Sequence, residues 1–253
     1  MHLVVDIGNS NVVCGIFDGS TCLHNWRWDT IKNEQIKMYY QKRLIHNLLE
    51  NKIDIPNITH VSVSSVVPQI NDTIEALLDE LFTVKSTFIQ HNTHPDLVIS
   101  TDNPIEMGTD LIANAVAAIH KTKDDTIIVD FGTALTFTVV TRQLDILGVA
   151  IAPGLFTALK SLHGGTAQLP EVSAALPKSV IGKNTTHAIQ AGIFRGYIGL
   201  VKEIIHQIEL EQGHRFSRIA TGGLSGVLDP LNKEFDYVDK NLTLNGIRLI
   251  GMN

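Results

Sequence analysis

Two short stretches of the chain each place an aspartate and a glycine directly after an apolar run. The first is "VVDIGNSNVV" at residues 4–13, and the second is "IVDFGTALTF" at residues 128–137. A carboxylate at the end of a buried strand is costly unless backbone donors, a cation or solvent stabilise its charge. The repeated phrase therefore predicts that Asp6 and Asp130 hold cations that offset a bound negative charge.

The residues after each aspartate suit the oxygen atoms of a phosphate group. Glycine allows a sharp turn and lets a ligand approach the backbone closely. Hydroxyl and amide side chains add donors to those of the turn, which together form an anion-binding concavity. The residues concerned are Gly8, Asn9, Ser10, Asn11, Gly132, Thr133 and Thr136. One Asp-x-Gly turn alone is common, so the prediction of a nucleotide site depends on finding two in equivalent positions.

A third glycine-containing stretch, "ATGGLS" at residues 220–225, follows another strand pattern. Its Gly222-Gly223 pair would let an adenine or a ribose pass close to the backbone. Together with the two turns, this pair favours a nucleotide-binding protein over a protein with two unrelated hairpins.

The elements that position these residues follow the same order in both halves of the chain. Short strands punctuated by turn signals predict an antiparallel meander at residues 2–7, 11–18 and 21–28. Apolar spacing then predicts a helix to about Asn51, a strand "HVSVSSVV" and a helix over residues 70–82.

The second half repeats this order after Asp125. A second meander is predicted from "TIIVDFG", "ALTFTVVTRQ" and "DILGVAIAPG", with helices after Gly154. The longest helical stretch covers residues 185–209, and a strand "SRIATGG" and a helix "NLTLNGIRLIGM" follow. No low-complexity linker separates the halves, so we place the boundary near residue 115, with domains at residues 1–115 and 116–253.

Composition disfavours several classes of function. The 253 residues carry a formal net charge of −6 without a Lys/Arg cluster, and nucleic-acid binding needs concentrated positive charge. No run reaches the roughly 18–20 apolar residues of a membrane span, so we expect a soluble protein without a membrane partner. Cys14 and Cys22 are too few for a disulfide framework and predict a reducing cytoplasm. The 11 histidines are scattered without a metal-ligand spacing.

The order of these motifs resembles the superfamily of acetate and sugar kinases, Hsp70 and actin, and most closely the type III pantothenate kinases. Seven blocks over nearly the whole chain carry the resemblance. They are "DIGNSNV" at 6–12, "NPIEMGTDLIANAVAA" at 103–118, "VDFGTALTF" at 129–137, "GVAIAPGL" at 148–155, "TAQLPEV" at 166–172, "IGKNTTHAIQAGIFRGYIGLV" at 181–201 and "NLTLNGI" at 241–247.

The resemblance implies an α/β fold of duplicated ribonuclease H-like (actin- and sugar-kinase-like) domains, each a mixed sheet flanked by helices. The implied activity is ATP-dependent phosphorylation of pantothenate to 4'-phosphopantothenate, the first step of coenzyme A synthesis. Asp6 would act on Mg²⁺ through water, and Asp130 would bind a monovalent cation, K⁺ or NH₄⁺. The implied ATP-binding residues are Asp6, Ile7, Gly8, Asn9, Ser10, Asn11, Val12, Val13, Thr133, Gly222 and Gly223.

The resemblance also assigns the acceptor side. Asp110 lies in the first turn of a predicted helix, where the positive helix end favours an acid, and it resembles the general base that accepts the pantothenate hydroxyl proton. The implied substrate-binding residues are Thr101, Gly108, Thr109, Asp110, Leu111 and Thr185. A homodimer that shares the acceptor pocket is also implied. For Thr185, an acceptor contact is compatible with a helix cap, which Asn184 or Thr185 would fill.

Two residues depart from the family pattern on this side. Leu111 replaces the arginine that follows the aspartate, and Thr101 replaces a tyrosine. Arginine holds a carboxylate by a bidentate pair that leucine cannot make, so another small hydroxyl compound stays open as the acceptor. A nucleotide-binding regulatory factor without turnover is a further alternative, against which the retained Asp110 and Asp130 argue.

Overall fold

A computed structural model describes residues 1–166, 168–223 and 229–252. The strands are β1 (His2–Ile7), β2 (Asn11–Asp18), β3 (Thr21–Asp29), β4 (His60–Ser65), β5 (Ser86–Phe88), β6 (Val98–Ile99), β7 (Thr126–Phe131), β8 (Ala134–Val140), β9 (Asp145–Pro153), β10 (Ser217–Gly222) and β11 (Tyr237–Val238). The helices are α1 (Ile36–Glu50), α2 (Asn71–Leu81), α3 (Thr109–Thr122), α4 (Leu155–Gly164), α5 (Thr185–Gln212) and α6 (Leu242–Ile250). None of these helices is long and apolar enough to cross a membrane.

The chain divides into two compact units, each with one mixed sheet and flanking helices. Unit 1 comprises Met1–Leu97, Asp102–Ala117 and Leu242–Asn253, and unit 2 comprises Val98–Thr101 and Ala118–Asn241. This division differs from a single boundary near residue 115, because α6 packs on β1 and β4 of the first sheet. The predicted α/β class with two helix-flanked mixed sheets is confirmed.

The sheet of unit 1 has the strand order β3-β2-β1-β4-β5. β1, β2 and β3 form the predicted antiparallel meander, whereas β4 runs parallel to β1. β1 is buried on both faces: Leu3 and Val5 belong to the core under α1 and α2, and Val4 on the opposite face is also buried. A central strand of this kind is mostly apolar, and in β1 the polar residues His2 and Asp6 stand near its two ends.

Helices α3 and α6 approach each other at the distance of backbone contact. A Cβ atom at Gly246 would lie 2.8 Å from Ala113 Cα and nearer still to the Ala113 carbonyl group, so only glycine fits there. The Thr243 hydroxyl donates a hydrogen bond to Asn114 Oδ1 at 2.9 Å in the same contact. α6 therefore fixes the position of α3 within unit 1.

The sheet of unit 2 has the strand order β11-β10-β7-β8-β9-β6. The predicted second meander is confirmed in β7, β8 and β9, and β10 runs parallel to β7. One face packs against α4 and α5, where Val129 and Phe137 of the sheet share a core with Leu155 and Phe194. The order of strands around β7 therefore repeats the order around β1.

Helix α5 begins at Thr185, and Asn184 is its cap. The Asn184 side chain accepts a hydrogen bond from the His187 N–H at 2.8 Å, which stabilises an otherwise unpaired donor of the first turn. Thr185 is the first helical residue and is exposed. The left-handed Gly213, with φ of +75°, ends the helix.

Acid sensitivity is expected from His2, which is 5% exposed and bonds through Nε2 to Ser62 Oγ at 2.8 Å. Burial, with the charges of His60 and Arg248, lowers the pKa of His2 from 6.5 to about 4. The unfolded chain takes up this proton first, so the contribution to stability is complete above pH 6.5 and is lost as the pH falls to about 4. We expect His2→Gln to reduce the slope of unfolding free energy against pH in this interval, measured by urea denaturation. An unchanged slope would contradict this assignment.

Candidate active site

The β1–β2 turn of unit 1 is the first predicted phosphate-binding turn. The Gly8 N–H donates to the Asn11 carbonyl at 2.9 Å and closes the turn, with Asn9 and Ser10 exposed at its tip. Thr30, directly after β3, supports the turn from outside. Its hydroxyl donates to the Gly8 carbonyl at 2.6 Å, and its N–H donates to the Ser10 carbonyl at 3.0 Å.

Other residues of this turn that are predicted to bind a nucleotide have side chains that already make contacts within unit 1. Asn11 Nδ2 donates to the Trp28 carbonyl at 3.4 Å, and Asn11 Oδ1 accepts from Arg27 at 3.2 Å, so this amide joins β2 to β3. Three apolar members of the set have buried or half-buried side chains: Ile7, Val12 and Val13. Their predicted contacts with a nucleotide stay predictions.

The β7–β8 turn of unit 2 has the same design. The Gly132 N–H donates to the Ala134 carbonyl at 3.0 Å, and Thr133 is exposed. A threonine from a later element again supports the turn, because the Thr157 hydroxyl donates to the Thr133 carbonyl at 2.7 Å. The Gly154 N–H donates to the same carbonyl at 2.9 Å. This turn is therefore held against the first turn of α4.

Asp130 and Gly222, which the sequence predicts separately, lie side by side because β7 and β10 are parallel neighbours. Gly222 has φ of +88°, and a Cβ atom there would lie 2.6 Å from Asp130 Oδ1 and 2.7 Å from the Phe131 carbonyl oxygen. Only glycine fits against this carboxylate. The Gly223 N–H donates to the Phe131 carbonyl at 3.2 Å. Residues 224–228, which include the end of the predicted "ATGGLS" stretch, lie outside the described residues.

Asp110 stands in the first turn of α3, directly after Gly108 and Thr109. Its Oδ1 accepts the Leu111 N–H at 2.9 Å, and a Cβ atom at Gly108 would lie 2.5 Å from the same oxygen. Burial raises the pKa of Asp110 and outweighs the backbone hydrogen bonds, which act in the opposite direction. A carboxylate with a raised pKa is a stronger proton acceptor, as a general base requires.

The other predicted acceptor residues are divided between the two units. Leu111 belongs to unit 1 and is 8% exposed, so its side chain is part of the core. Thr101 belongs to unit 2, and its buried hydroxyl oxygen has no hydrogen-bond partner among the described residues. Thr185, also in unit 2, is exposed. Their roles toward an acceptor stay predictions.

Comparison with known proteins decides the family. A family model described as type III pantothenate kinase matches residues 2–207. The chain belongs to this family. It is 40% identical over 251 residues to the type III pantothenate kinase of Geotalea daltonii, covering 99% of this chain and 97% of that protein. It is also 40% identical over 251 residues to the type III pantothenate kinase of Brevibacillus brevis, covering 99% and 98% of the two chains. The resemblance predicted from the seven blocks is confirmed.

Solved structures of lower identity share the fold. MreB 5 of Spiroplasma citri bound to AMPPNP aligns with a TM-score of 0.56 at 9% identity, covering 99% of this chain and 96% of that one. Component A of the (R)-2-hydroxyglutaryl-CoA dehydratase of Acidaminococcus fermentans aligns with a TM-score of 0.54 at 13% identity, covering 99% and 96%. This type III pantothenate kinase family member therefore shares the fold of both structures, and the predicted α/β fold is confirmed.

Sequence reasoning missed two serines at the end of β4 in this family member. The Thr109 hydroxyl, at the start of α3, bonds to Ser64 Oγ and to both backbone groups of Ser65. A signal was present, because the predicted strand "HVSVSSVV" carries two hydroxyl residues beside the end of β1. The supporting threonines Thr30 and Thr157 were also missed, since the turns they support lie far away in sequence.

The residues at the two turns suit the cations that the family resemblance implies. The described part of the chain contains no group of three or more His, Cys, Asp or Glu side chains that could hold a metal ion alone. Mg²⁺ needs no such group when it keeps water ligands and binds nucleotide phosphates, and Asp6 beside the β1–β2 turn fits that mode. Carboxylate and carbonyl oxygens suit a hard cation, and any side chain at position 222 would collide with the Asp130 carboxylate and the Phe131 carbonyl.

Proposed function

We propose that this chain transfers the γ-phosphoryl group of ATP to the hydroxyl group of pantothenate and forms 4'-phosphopantothenate, the first step of coenzyme A synthesis. The observation that carries the proposal is the half-buried Asp110 carboxylate at the start of α3, with its raised pKa, in a chain that is 40% identical to a type III pantothenate kinase. A partly desolvated acid with a raised pKa in this position suits proton abstraction from an alcohol better than it suits a structural helix end.

Asp110 is the general base of the proposed reaction. Its carboxylate accepts the proton of the acceptor hydroxyl while the hydroxyl oxygen bonds to the γ-phosphorus. The bond from this phosphorus to the bridging oxygen breaks, and its electron pair leaves with ADP. Most of the catalysis of phosphoryl transfer comes from positioning and charge neutralisation, which agrees with the absence of a covalent nucleophile from the proposed set.

The two turns are the proposed nucleotide-binding elements. Residues 6–13 and Thr133 bind the phosphates of ATP, and Gly222 and Gly223 bind its nucleoside portion. Asp6 would hold Mg²⁺ through water, and Asp130 would bind K⁺ or NH₄⁺. These cations supply positive charge that offsets the charge of the phosphate groups when they are bound. The hydrogen bonds from Thr30 and Thr157 keep each turn in place during transfer.

A homodimer that shares the acceptor pocket is part of the proposal. Unit 2 exposes several large apolar side chains that a second copy could cover: Ile151, Phe156, Val180 and Ile181. Val180 and Ile181 precede the exposed Thr185, the residue that we assign to the shared pocket. Light scattering on the purified chain would measure the oligomeric state.

Another small hydroxyl compound is the second candidate acceptor. The observation that favours it is the burial of Leu111 in the core, where the family pattern has an arginine. Without that guanidinium group the carboxylate of pantothenate loses a bidentate partner. Pantothenol, in which an alcohol replaces the carboxylate, discriminates between the two candidates. A lower KM for pantothenate than for pantothenol would support recognition of the carboxylate.

ADP release with ATP, Mg²⁺ and either K⁺ or NH₄⁺ tests the proposed function. We expect turnover that depends on pantothenate, with 4'-phosphopantothenate as the product. Turnover with a different hydroxyl compound alone would transfer the proposal to the second candidate. Nucleotide binding without turnover under any of these conditions would favour the regulatory alternative and would overturn the kinase assignment.

Gly108→Ala is expected to impair transfer without unfolding the chain. The added Cβ atom would lie 2.5 Å from the present position of Asp110 Oδ1, so this carboxylate would have to rotate. Misplacement of a reacting group by about 1 Å costs up to roughly 10²-fold in rate. Steady-state kcat and the melting temperature Tm are the measurements. Gly192→Ala, where a Cβ atom meets no neighbour within 4 Å, is the control and should retain kcat.

A further inference from the structure

Ser64 occupies a fully buried position beside one of the proposed site acids. It is the second-last residue of β4, it is 0% exposed, and its register partner on β1 is Asp6. Register partners on neighbouring parallel strands present their side chains on the same face of the sheet. Ser64 is therefore shielded from any ligand in solution, and yet it lies next to the strand end that carries Asp6.

The Ser64 hydroxyl meets the helix that carries the proposed base. Ser64 Oγ lies 2.9 Å from Thr109 Oγ1, across 45 residues of sequence. The same Thr109 oxygen accepts the Ser65 N–H at 3.1 Å, and the Thr109 hydroxyl donates to the Ser65 carbonyl at 3.2 Å. A hydroxyl has one proton and two lone pairs, so a donated hydrogen bond from Ser64 completes the capacity of Thr109. The Thr109 hydroxyl therefore has no proton or lone pair left with which to bind the substrate that accepts the phosphoryl group.

The start of α3 is joined to β4 by this contact, in addition to the packing of α6 against the same helix. Gly108 precedes Thr109 and has no side chain with which to cap the helix. The Asp110 carboxylate is directed to the Leu111 N–H within its own turn. The link from Thr109 to β4 therefore joins the first turn of α3 directly to the sheet beside Asp6.

We propose that Ser64 is a positioning residue for phosphoryl transfer, which acts through Thr109 to hold Asp110 at a fixed place relative to the end of β1. Thr109 then belongs to the support of the base and is not a binding residue for the acceptor. The inference rests on the proposed function, because it gives Ser64 a role in the work of Asp110.

Ser64→Ala and Ser62→Ala form a matched pair for the test. Ser62 lies two residues earlier on the same strand, is 1% exposed, and bonds to His2 rather than to α3. Both variants lose one buried hydroxyl that makes a side-chain hydrogen bond. We expect Ser64→Ala to lower kcat by roughly tenfold to a hundredfold with little change in the KM for ATP, and Ser62→Ala to retain kcat. Thr109→Val should lower kcat by a similar factor, and Thr109→Ser, which keeps the hydroxyl, should retain most of the wild-type kcat.

Carboxyl titration of Asp110 by ¹³C NMR gives a readout that needs no turnover. The Asp110→Asn spectrum assigns the resonance. If Ser64 holds the first turn of α3, Ser64→Ala admits water and brings the pKa of Asp110 down toward the ordinary carboxyl range, whereas Ser62→Ala leaves it unchanged. If the wild type lacks pantothenate-dependent turnover, the proposed function fails, and this titration alone decides the positioning role. Equal kcat or equal titration in the two alanine variants would overturn the inference.

Discussion

We expect Asp110→Asn to lower kcat for pantothenate phosphorylation by about 10²- to 10⁴-fold, the usual contribution of a positioned general base. Asparagine keeps the shape of the side chain and still accepts the Leu111 N–H, but it cannot take up the hydroxyl proton. ATP affinity should be retained, because Asp110 is not among the residues proposed to bind the nucleotide. Steady-state ADP release at saturating ATP and pantothenate, with Tm measured in parallel, tests the expectation.

The pH dependence of the rate provides a second signature of the same base. Burial raises the pKa of Asp110, so the ionised base is lost as the pH falls through this raised value, at a higher pH than for an ordinary carboxyl group. The wild type should show this acid limb, and Asp110→Asn should lack it. Asp102→Asn, at an exposed acid outside the helix, should keep both the rate and the limb. Wild-type kcat in Asp110→Asn would remove Asp110 from the mechanism.

Gly246→Ala is expected to lower the free energy of unfolding of the chain. A Cβ atom there would overlap the carbonyl group of Ala113 and approach its Cα to 2.8 Å, and neither backbone can yield without separating α3 from α6. Overpacking of a well-packed interior costs typically about 1–3 kcal/mol, occasionally more. This loss opposes a gain of about 1 kcal/mol in helix propensity when alanine replaces glycine. We expect a net fall in Tm, measured by thermal denaturation.

Gly199→Ala is the matched control for this change. Gly199 lies inside α5, and a Cβ atom there meets nothing within 4 Å. The same substitution should therefore stabilise the chain by the propensity gain of about 1 kcal/mol. Opposite signs for the two variants would assign the effect to the α3–α6 contact. A gain of stability in Gly246→Ala would show that these helices are farther apart than the structure has them.

The elements around Asp6 and Asp130 could be predicted from sequence because their signals are local. Each acid ends an apolar strand, and a glycine turn and a second strand follow within a few residues. The signals for the start of the long helix α5 are equally local: the sequence narrows its cap to Asn184 or Thr185, and the hydrogen bond to the His187 N–H identifies Asn184. The family resemblance then added Asp110, whose own surroundings predict no more than a favourable helix end.

The contacts that hold these elements together could not be predicted in the same way. Ser64 and Thr109 are 45 residues apart, and Thr243 and Asn114 are 129 residues apart. A hydroxyl group makes no sequence pattern that identifies a partner at such a distance. At Leu111 the sequence reveals one fact and the structure another. The sequence shows that leucine replaces the arginine of the family pattern, and the structure shows that this leucine is buried in the core.

The discontinuity of unit 1 has a consequence for the order of events during synthesis. Residues 123–241 belong to unit 2 and are translated between α3 and α6, although α6 packs on β1 and β4. At 5–20 residues per second, roughly 6–25 s separate the emergence of these two helices. Throughout that interval the sheet of unit 1 lacks the helix that packs on β1 and β4. The first part of unit 1 therefore reaches its final packing only after unit 2 has been translated, so the inserted unit is available to fold before unit 1 is complete.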